Sequence, residues 1–431
     1  MKWIVGVLGV CLSLSVTAAG HEITTSPSAV DKLIEQLADP DHLTRERASD
    51  ALRQMGVPAL PALRAARLHA DLEVRRRVEQ LLPALEHAEL LSPKRVTLRL
   101  KQQPLKAAID QITQQTGYKF QLSDGRANLV YDFEFDNQPF WEVLDSICDQ
   151  TGLVLQQGGN DAFYLYTQDY RVPYVCHNGP FRLVASGFYY NRNINFATVP
   201  RQGDSGGQRS EYLQFSFGIG SEPRLPLVGL GQPQLTVALD DRGNSMLPAQ
   251  NHNHTTHYQN YSGSRNYFLQ TQVQLVRPSQ EAETMKLVKG TLPVLLLAKQ
   301  KPLIEVEKVL TVKDKKFEAG KISLNITSAQ QVNGQYEVSM SIQNGAAQNN
   351  QHDYFWSNSL YQRLELQDAK GNKYQSYGWN SMHSGPNSVT GMVLFGNPNN
   401  GPIGPPDKLI YYDWETLQHY VPFEFKNLPL P

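Results

Sequence analysis

The chain has 431 residues, 40% of them hydrophobic, and its 40 Lys and Arg side chains are balanced by 41 Asp and Glu side chains. The net charge of −1 excludes a general attraction to nucleic acid or to an anionic membrane surface. A chain of this length exceeds what a single hydrophobic core organises, so several domains are expected.

Residues 1–20 have the features of a secretory signal peptide. Lys2 precedes a short apolar core at 3–16, and small residues at 17–20 offer cleavage sites. No later segment has 18 unbroken apolar residues, so no transmembrane span is expected. The sequence therefore predicts an exported protein, periplasmic or extracellular.

Residues 28–92 carry apolar side chains at helical spacing. The stripes they form are Leu43, Ala48, Ala51 and Leu52, then Leu60, Leu63 and Ala66, then Val74, Val78, Leu81 and Leu82. The order of Asp-Pro-Asp at 39–41, Met-Gly at 55–56 and Ala-Leu-Pro-Ala-Leu at 59–63 resembles HEAT-type helical repeats. That resemblance implies stacked helical pairs that serve as a scaffold for protein contacts.

The third helical stretch contains the basic run Arg75, Arg76 and Arg77. Pairing with Glu73, three or four residues away on the same helix, accounts for such a run without any partner. The alternative hypothesis is a docking patch that steers an acidic protein partner.

Residues 95–168 contain a tandem repeat. RLKQQPLKAAIDQITQQTGYKFQ (99–121) aligns with EFDNQPFWEVLDSICDQTGLVLQ (134–156) at a constant offset of 35. In each copy, alternating apolar residues predict a strand, Pro104 or Pro139 suits a helix start, and Gly117 or Gly152 suits a left-handed C-cap. The repeat predicts two β-α-β units, with both helices on one face of a small sheet.

This duplicated unit, with its Gln-Pro and Thr-Gly positions, resembles the secretin and TonB short N-terminal domain. In that family the domain lies at the periplasmic end of outer-membrane secretins and signalling receptors, and it docks protein partners. The resemblance implies that residues 95–168 bind an envelope protein, through a sheet edge or the outward face, and that the basic helices extend that surface.

From residue 170 onward, short candidate strands alternate with Gly, Pro and Asn turns, and helical spacing returns only near 281–285 and 414–419. This pattern predicts two immunoglobulin-like β-sandwiches, at 171–300 and 301–431. LTVALDDRGNS (235–245) and LELQDAKGNK (364–373) each place a strand before an Asp–Gly–Asn turn, and each precedes a similar Lys-Leu segment. The fold class is thus multi-domain α+β, and its β half is internally duplicated.

Two cysteines remain after the signal peptide, Cys148 and Cys176. An even pair in an oxidising compartment predicts one disulfide, and the alternative is two unpaired thiols.

Gln-Gly-Asp-Ser-Gly-Gly at 202–207 resembles the nucleophile loop of chymotrypsin-like serine proteases. The order of histidine and cysteine upstream does not match that family, so Ser205 is predicted to be catalytically silent in a loop. His252, His254 and His257 lie within six positions and could hold Zn²⁺ or Cu²⁺, but the interpretation that we favour is an exposed polar loop, and no metal site is predicted.

No catalytic residue and no cofactor is predicted. We expect an exported, non-enzymatic scaffold with an envelope protein as its partner and no nucleic acid. A ligand- or carbohydrate-binding protein is the alternative, because aromatic residues such as Tyr189 and Tyr190 near the sandwich loops suit a sugar. A hydrolase built on Ser205 or on the histidine loop is a remote third interpretation.

Overall fold

The computed structural model describes residues 27–122, 125–157, 162–195, 208–248, 266–345, 355–385, 387–397 and 403–431. They form a mixed α and β structure that is mostly β. The chain divides into two compact units, Met1–Leu91 and Ser92–Pro431.

The described part of the first unit is helical. Its helices are α1 (Pro27–Gln36), α2 (His42–Met55), α3 (Leu60–Ala65) and α4 (Leu72–Leu91). The Asp41 carboxylate caps α2 by accepting a 3.0 Å hydrogen bond from the Thr44 backbone N–H. Leu52, Leu63 and Val78 are fully buried in one core, as their spacing predicts. Leu43 is the exception: it lies in the first turn of α2 and is 61% exposed.

The second unit begins with the repeated module. Its elements are β1 (Arg95–Pro104), α5 (Leu105–Thr116), β2 (Lys119–Leu122), β3 (Val130–Pro139), α6 (Phe140–Thr151), β4 (Leu153–Gln157) and β5 (Ala162–Thr167). Gly117 and Gly152 have φ of 78° and 67° and end the two helices in the left-handed conformation, so both predicted C-caps are confirmed. Even the strained positions repeat, since Gln102 and Asn137 have φ of 49° and 48°.

The module has two small sheets where the sequence predicted one. β1 pairs with β3 in a two-stranded sheet, and β2, β5 and β4 form a three-stranded sheet in that order. Side chains from both sheets join one core with the helices, including Leu98, Phe133, Phe140 and Phe163. Each helix therefore buries side chains against both sheets, and α6 needs Trp141 as well as its predicted stripe to fill that space.

The β half follows in chain order. Its first part contains β6 (Val175–Asn178), β7 (Phe181–Asn195), β8 (Gln208–Ser221), β9 (Leu227–Leu230), β10 (Gln234–Asp240), β11 (Phe268–Leu275) and β12 (Thr284–Glu307). Its second part contains β13 (Lys315–Ala319), β14 (Ile322–Val332), β15 (Gln335–Asn344), α7 (Phe355–Asn358), β16 (Leu364–Asp368), β17 (Gln375–Ser384), β18 (Ser388–Gly396) and β19 (Pro406–Pro429).

One central sheet, with strand order β10-β12-β19-β16, serves both parts. Its first half packs on the sheet β11-β8-β7-β6, where Phe217 lies 4.9 Å from Phe423 between ring centroids. Its second half packs on the sheet β13-β14-β15-β18-β17, around a core that includes Leu324, Val393 and Leu409. We call these two packed bodies the first and the second sandwich.

The predicted boundary at residue 300 lies inside a strand. β12 and β19 pair along their whole length, from Thr284 opposite Pro429 to Glu307 opposite Lys408. The last part of β19 therefore belongs to the first sandwich, although it comes at the end of the chain. The helical spacing at 414–419 is also overridden, because these residues lie within β19.

The two Asp–Gly–Asn turns have the same structure. Asp240 Oδ1 accepts hydrogen bonds from the backbone N–H groups of Arg242 and Asn244 at 3.0 and 2.7 Å. Asp368 Oδ1 accepts the equivalent bonds from Lys370 and Asn372 at 2.9 and 2.8 Å. The similarity that the sequence predicts between these two segments is confirmed.

Candidate functional site: an open strand edge and the junction beside it

The strand β3 is an edge of the two-stranded sheet in the module. It pairs antiparallel with β1, with Leu98 opposite Phe135 and Leu100 opposite Phe133. Within the described ranges, no strand pairs with the other side of β3. The backbone N–H and C=O groups along such an edge can accept a further strand from another chain.

In β1, by contrast, a side chain binds backbone groups of the strand. Gln115, in the last turn of α5, accepts a 2.9 Å hydrogen bond from the Thr97 N–H and donates a 2.8 Å bond to the Thr97 C=O. The equivalent residue of the second repeat, Gln150, donates instead to Ser146 Oγ at 3.3 Å. The duplication is therefore asymmetric, and the side-chain amide that covers backbone groups in the first copy does not do so in the second.

The outward face of β3 is acidic. Asp132, Glu134 and Asp136 are exposed, whereas Phe133 and Phe135 between them are buried. Asp136 forms an exposed ion pair with Arg99 of β1 at 3.2 Å, a contact that contributes little to stability in water. A strand added beside β3 would thus lie next to a row of carboxylates.

The predicted basic patch on α4 is corrected at Arg77, which is buried. Its guanidinium donates to Glu73 at 2.7 Å, to Glu46 at 3.0 Å and to Ser49 Oγ at 3.1 Å. Because its donors join α4 to α2, Arg77 is not available to a partner.

Arg76 is exposed but paired with Glu73 at 2.9 and 3.0 Å. Hydrogen bonds from Arg76 and Arg77 lower the pKa of Glu73 to about 2. The pairing interpretation of this run is confirmed, and of the predicted patch only Arg75 lacks a described ion pair.

A charged cluster at the junction of the module and the first sandwich was missed by the sequence reasoning. Asp145 of α6 is 2.7 Å from His177 Nε2, and Arg182 Nε donates to both of its oxygens at 2.8 and 3.0 Å. Burial opposes ionisation of Asp145 most strongly, but its bonds to His177 and Arg182 together outweigh it and hold the pKa of Asp145 below its ordinary value. Nothing in the local sequence pairs residue 145 with residue 182.

A second buried contact joins the same two bodies. The fully buried carboxylate of Glu222 accepts hydrogen bonds from the Lys94 N–H at 2.9 Å, the Tyr118 hydroxyl at 2.7 Å and Arg224 Nε at 3.0 Å. Burial and the nearby Glu222 charge raise the pKa of Tyr118. Trp141 Nε1 adds a 3.0 Å bond to the Pro180 carbonyl. These buried contacts hold the module against the first sandwich. The strand β3 therefore belongs to a module that is anchored to the rest of the second unit.

The predicted disulfide is not formed, and both Cys148 and Cys176 are free thiols. Successive side chains of a strand point to opposite faces. Since His177 contacts Asp145 on α6, its neighbour Cys176 points away from α6, toward β19, where the charge of Glu424 acts on its thiol. Burial raises the pKa of Cys148 to about 12, so this thiol stays protonated and unreactive at neutral pH.

A cleft of about 550 Å³ opens beside the junction, lined by α6, β4, the segment 168–172 and Arg182. Two of its charged groups, Asp145 and Arg182, are paired with each other at 2.8 Å. Over the described ranges, no group of three or more His, Cys, Asp or Glu is arranged to hold a metal ion.

Other predicted features lie outside the described residues. These are the signal peptide at 1–20, Ser205, and the candidate metal ligands His252, His254 and His257. None of the described helices is both long enough and apolar enough to cross a membrane.

Neither a protein-family model nor a curated protein matches the chain. Among solved structures, it is similar to a conserved domain protein from Bacillus anthracis, with 8% identity over 57% of this chain and 88% of that one and a TM-score of 0.15. It is also similar to a chain in the atomic model of the Salmonella SPI-1 type III secretion injectisome basal body proteins InvG, PrgH and PrgK. That likeness has 10% identity over 74% of this chain and 92% of that one, with a TM-score of 0.15. With such TM-scores, neither likeness bears on fold or function.

Proposed function

We propose that the protein is an exported, non-enzymatic scaffold that binds an extended segment of an envelope protein at the open edge of β3. The edge itself is the observation that carries the proposal: β1 and β3 each have a strand on one side only within the described residues, and β1 has backbone groups at Thr97 bound by Gln115. The resemblance of the repeat to the secretin and TonB short N-terminal domain supports the same kind of activity. Backbone pairing supplies affinity in such a complex, and the side chains select the partner.

The charges along β3 define the partner's chemistry. A strand that extends this sheet places every second side chain on the outward face, next to Asp132, Glu134 and Asp136. Lys or Arg at those positions complements the carboxylates, whereas acidic residues are repelled. The partner segment is therefore an extended strand with basic residues at alternate positions.

A defined probe tests backbone pairing directly. A fluorescent peptide of alternating Lys and Val is titrated with the full chain, and its anisotropy is compared with that of the same peptide N-methylated at alternate residues. N-methylation removes donors without changing charge, so we expect it to abolish binding. Equal binding of the two peptides would mean that only charge attracts them, and strand addition would be wrong.

The edge is then tested on the protein. Glu134→Lys with Asp136→Lys should weaken peptide binding at least about tenfold, which corresponds to roughly 1.4 kcal/mol. Glu307→Lys with Glu318→Lys is the matched control, because it changes the charge equally at exposed positions elsewhere. The edge variant and the control variant are then compared in their capture of envelope proteins, each as the full chain. If the edge variant and the control behave alike in both assays, β3 is not the docking site.

A further inference from the structure

The outer face of the sheet β11-β8-β7-β6 is covered by the module at one end and exposed at the other. Phe215, Phe217 and Ile219 of β8 are buried toward the central sheet, so the residues between them point outward. At one end the module covers this face, where Arg182 binds Asp145 and Gln157 Nε2 donates to the Ser221 carbonyl at 2.8 Å. The other end remains exposed, and it carries the rings of Tyr189 and Tyr212. Phe268 lies in the same row of the sheet as Gly220 and Arg182, at the covered end, and its ring extends from there over Gly218.

Three large rings are exposed on this face. Tyr189 is 57% exposed, Tyr212 is 36% exposed and Phe268 is 39% exposed. The two tyrosine rings lie 6.4 Å apart between centroids and are tilted by 62°. Exposed rings grouped on one sheet face are unusual in a soluble protein unless they bind something.

The backbone of β8 makes room for the third ring. The Phe268 ring extends from β11 over Gly218, where a Cβ atom would overlap it. Gly220, directly opposite Phe268 in the sheet, likewise has no side chain to lift the ring. The two glycines thus let an aromatic side chain lie low on the sheet instead of standing away from it.

The outward polar groups of β8 and β11 are uncharged. The outward residues of β11 after Phe268 are Gln270, Gln272 and Gln274, all exposed. On β8 the outward residues are Ser210, Tyr212, Gln214, Ser216, Gly218 and Gly220. Tyr212 donates its hydroxyl proton to Gln214 Oε1 at 2.8 Å, and Asn191 Nδ2 donates to the Tyr189 hydroxyl at 3.4 Å.

This composition points to one kind of ligand. Nineteen per cent of the chain is charged, yet the described outward positions of β8 and β11 carry no charge, so an anionic or cationic ligand finds no complement there. Aromatic faces stack on the apolar faces of sugar rings, and amides both donate to and accept from hydroxyl groups. From Tyr212 to Gly218 the face runs along seven residues of β8, roughly 20 Å at about 3.4 Å per step, enough for several sugar units.

We propose that this face binds a neutral polysaccharide chain. The site is separate from the edge of β3 and does not depend on the docking activity proposed there. An exported scaffold with both sites would hold a protein partner against a glycan.

The test uses the full chain in native gels that contain a neutral β-glucan, xylan or galactomannan, with anionic polygalacturonate as a comparison. We expect retardation by at least one neutral polysaccharide and none by polygalacturonate. Tyr189→Ala with Tyr212→Ala should weaken that binding about tenfold, the equivalent of roughly 1.4 kcal/mol. Both rings are exposed, and equal melting temperatures of variant and native chain would show that the fold is intact.

Tyr377→Ala is the matched control, since Tyr377 of the second sandwich is 52% exposed and also extends over a glycine, Gly396. This variant should bind like the native chain. The proposal is overturned if none of the three neutral polysaccharides retards the chain, if polygalacturonate alone does, or if the control variant loses as much binding as the double variant.

Discussion

The Arg77 guanidinium has partners on two helices, and its side chain is 9% exposed, compared with 61% for Arg76. An arginine that is enclosed and fully hydrogen-bonded contributes to stability, whereas an exposed helix pair contributes only a few tenths of a kcal/mol. The two neighbouring arginines therefore differ in role although they share Glu73.

We expect Arg77→Ala to lower the free energy of unfolding of the helical unit by about 1–2 kcal/mol, because Ser49 and the two carboxylates lose their common donor. Arg76→Ala should cost less than about 0.5 kcal/mol. Denaturation monitored by helical circular dichroism measures both. If the two variants lost the same free energy of unfolding, the buried hydrogen bonds of Arg77 would contribute no more to stability than the exposed pair of Arg76.

Asp145 links pH to the stability of the junction. Its folded-state pKa is lowered, so its contribution is present above the unfolded value of about 3.9 and is lost as the pH falls through the folded value. Asp145→Asn should therefore lower the melting temperature at pH 7, and the difference from the native chain should shrink below about pH 4.

Asp149→Asn is the control for this prediction, because Asp149 lies on the same helix but is exposed. It should leave the melting temperature nearly unchanged at every pH. A difference between Asp145→Asn and the native chain that stays constant from pH 7 to pH 3 would contradict the assignment of the bonds to an ionised carboxylate.

At the scale of the element, two glycines end the helices of the repeated module in a left-handed conformation that other residues adopt at a cost. Nothing lies within 4 Å of a Cβ placed on Gly117, so only backbone strain opposes a substitution there. At Gly152 the Cβ would also meet Arg126 Nη1 at 3.1 Å.

We expect Gly117→Ala to destabilise the second unit by about 1 kcal/mol, from the positive φ alone. Gly152→Ala should cost at least as much. Gly125→Ala is the matched control, since Gly125 has open space around it and no positive φ. Chemical denaturation compares the three, and a neutral Gly117→Ala would show that the cap is not strained.

At the scale of the whole molecule, β12 and β19 make the two sandwiches depend on each other. Residues 421–429 of β19 pair with residues 284–292 of β12 inside the first sandwich, more than 100 residues away along the chain. Phe423 and Phe425 supply rings to that core. Two independent domains with a boundary at 300 would lack this contact.

Phe423→Ala should therefore destabilise the first sandwich by about 3–5 kcal/mol, the usual cost of deleting a buried ring. Tyr420→Ala, which removes a ring that is 46% exposed, should have little effect. The loss of stability is measured by amide hydrogen exchange of the backbone N–H groups in β7 and β8. If protection there is unchanged in Phe423→Ala, the end of β19 does not support the first sandwich.

The local features of this protein could be predicted from its sequence. These include the β-α-β unit that recurs after 35 residues, the helix starts after Pro104 and Pro139, the left-handed glycines and the two Asp–Gly–Asn turns. Each of these structures depends on residues that are close together in the chain. Their physics is short-range, since ring geometry, positive φ and side-chain bonds to nearby backbone act over a few residues.

The tertiary structure alone decided the rest. Which face Cys176 occupies, the burial of Arg77, the covering of Thr97 by Gln115 and the pairing of β12 with β19 all depend on residues that are distant in sequence. Local periodicity cannot tell which strand joins which, because pairing is settled by the burial of whole faces. The open edge of β3 is such an outcome: the two copies of the repeat form the same elements, but Gln115 binds backbone groups of β1 and its equivalent Gln150 does not bind those of β3.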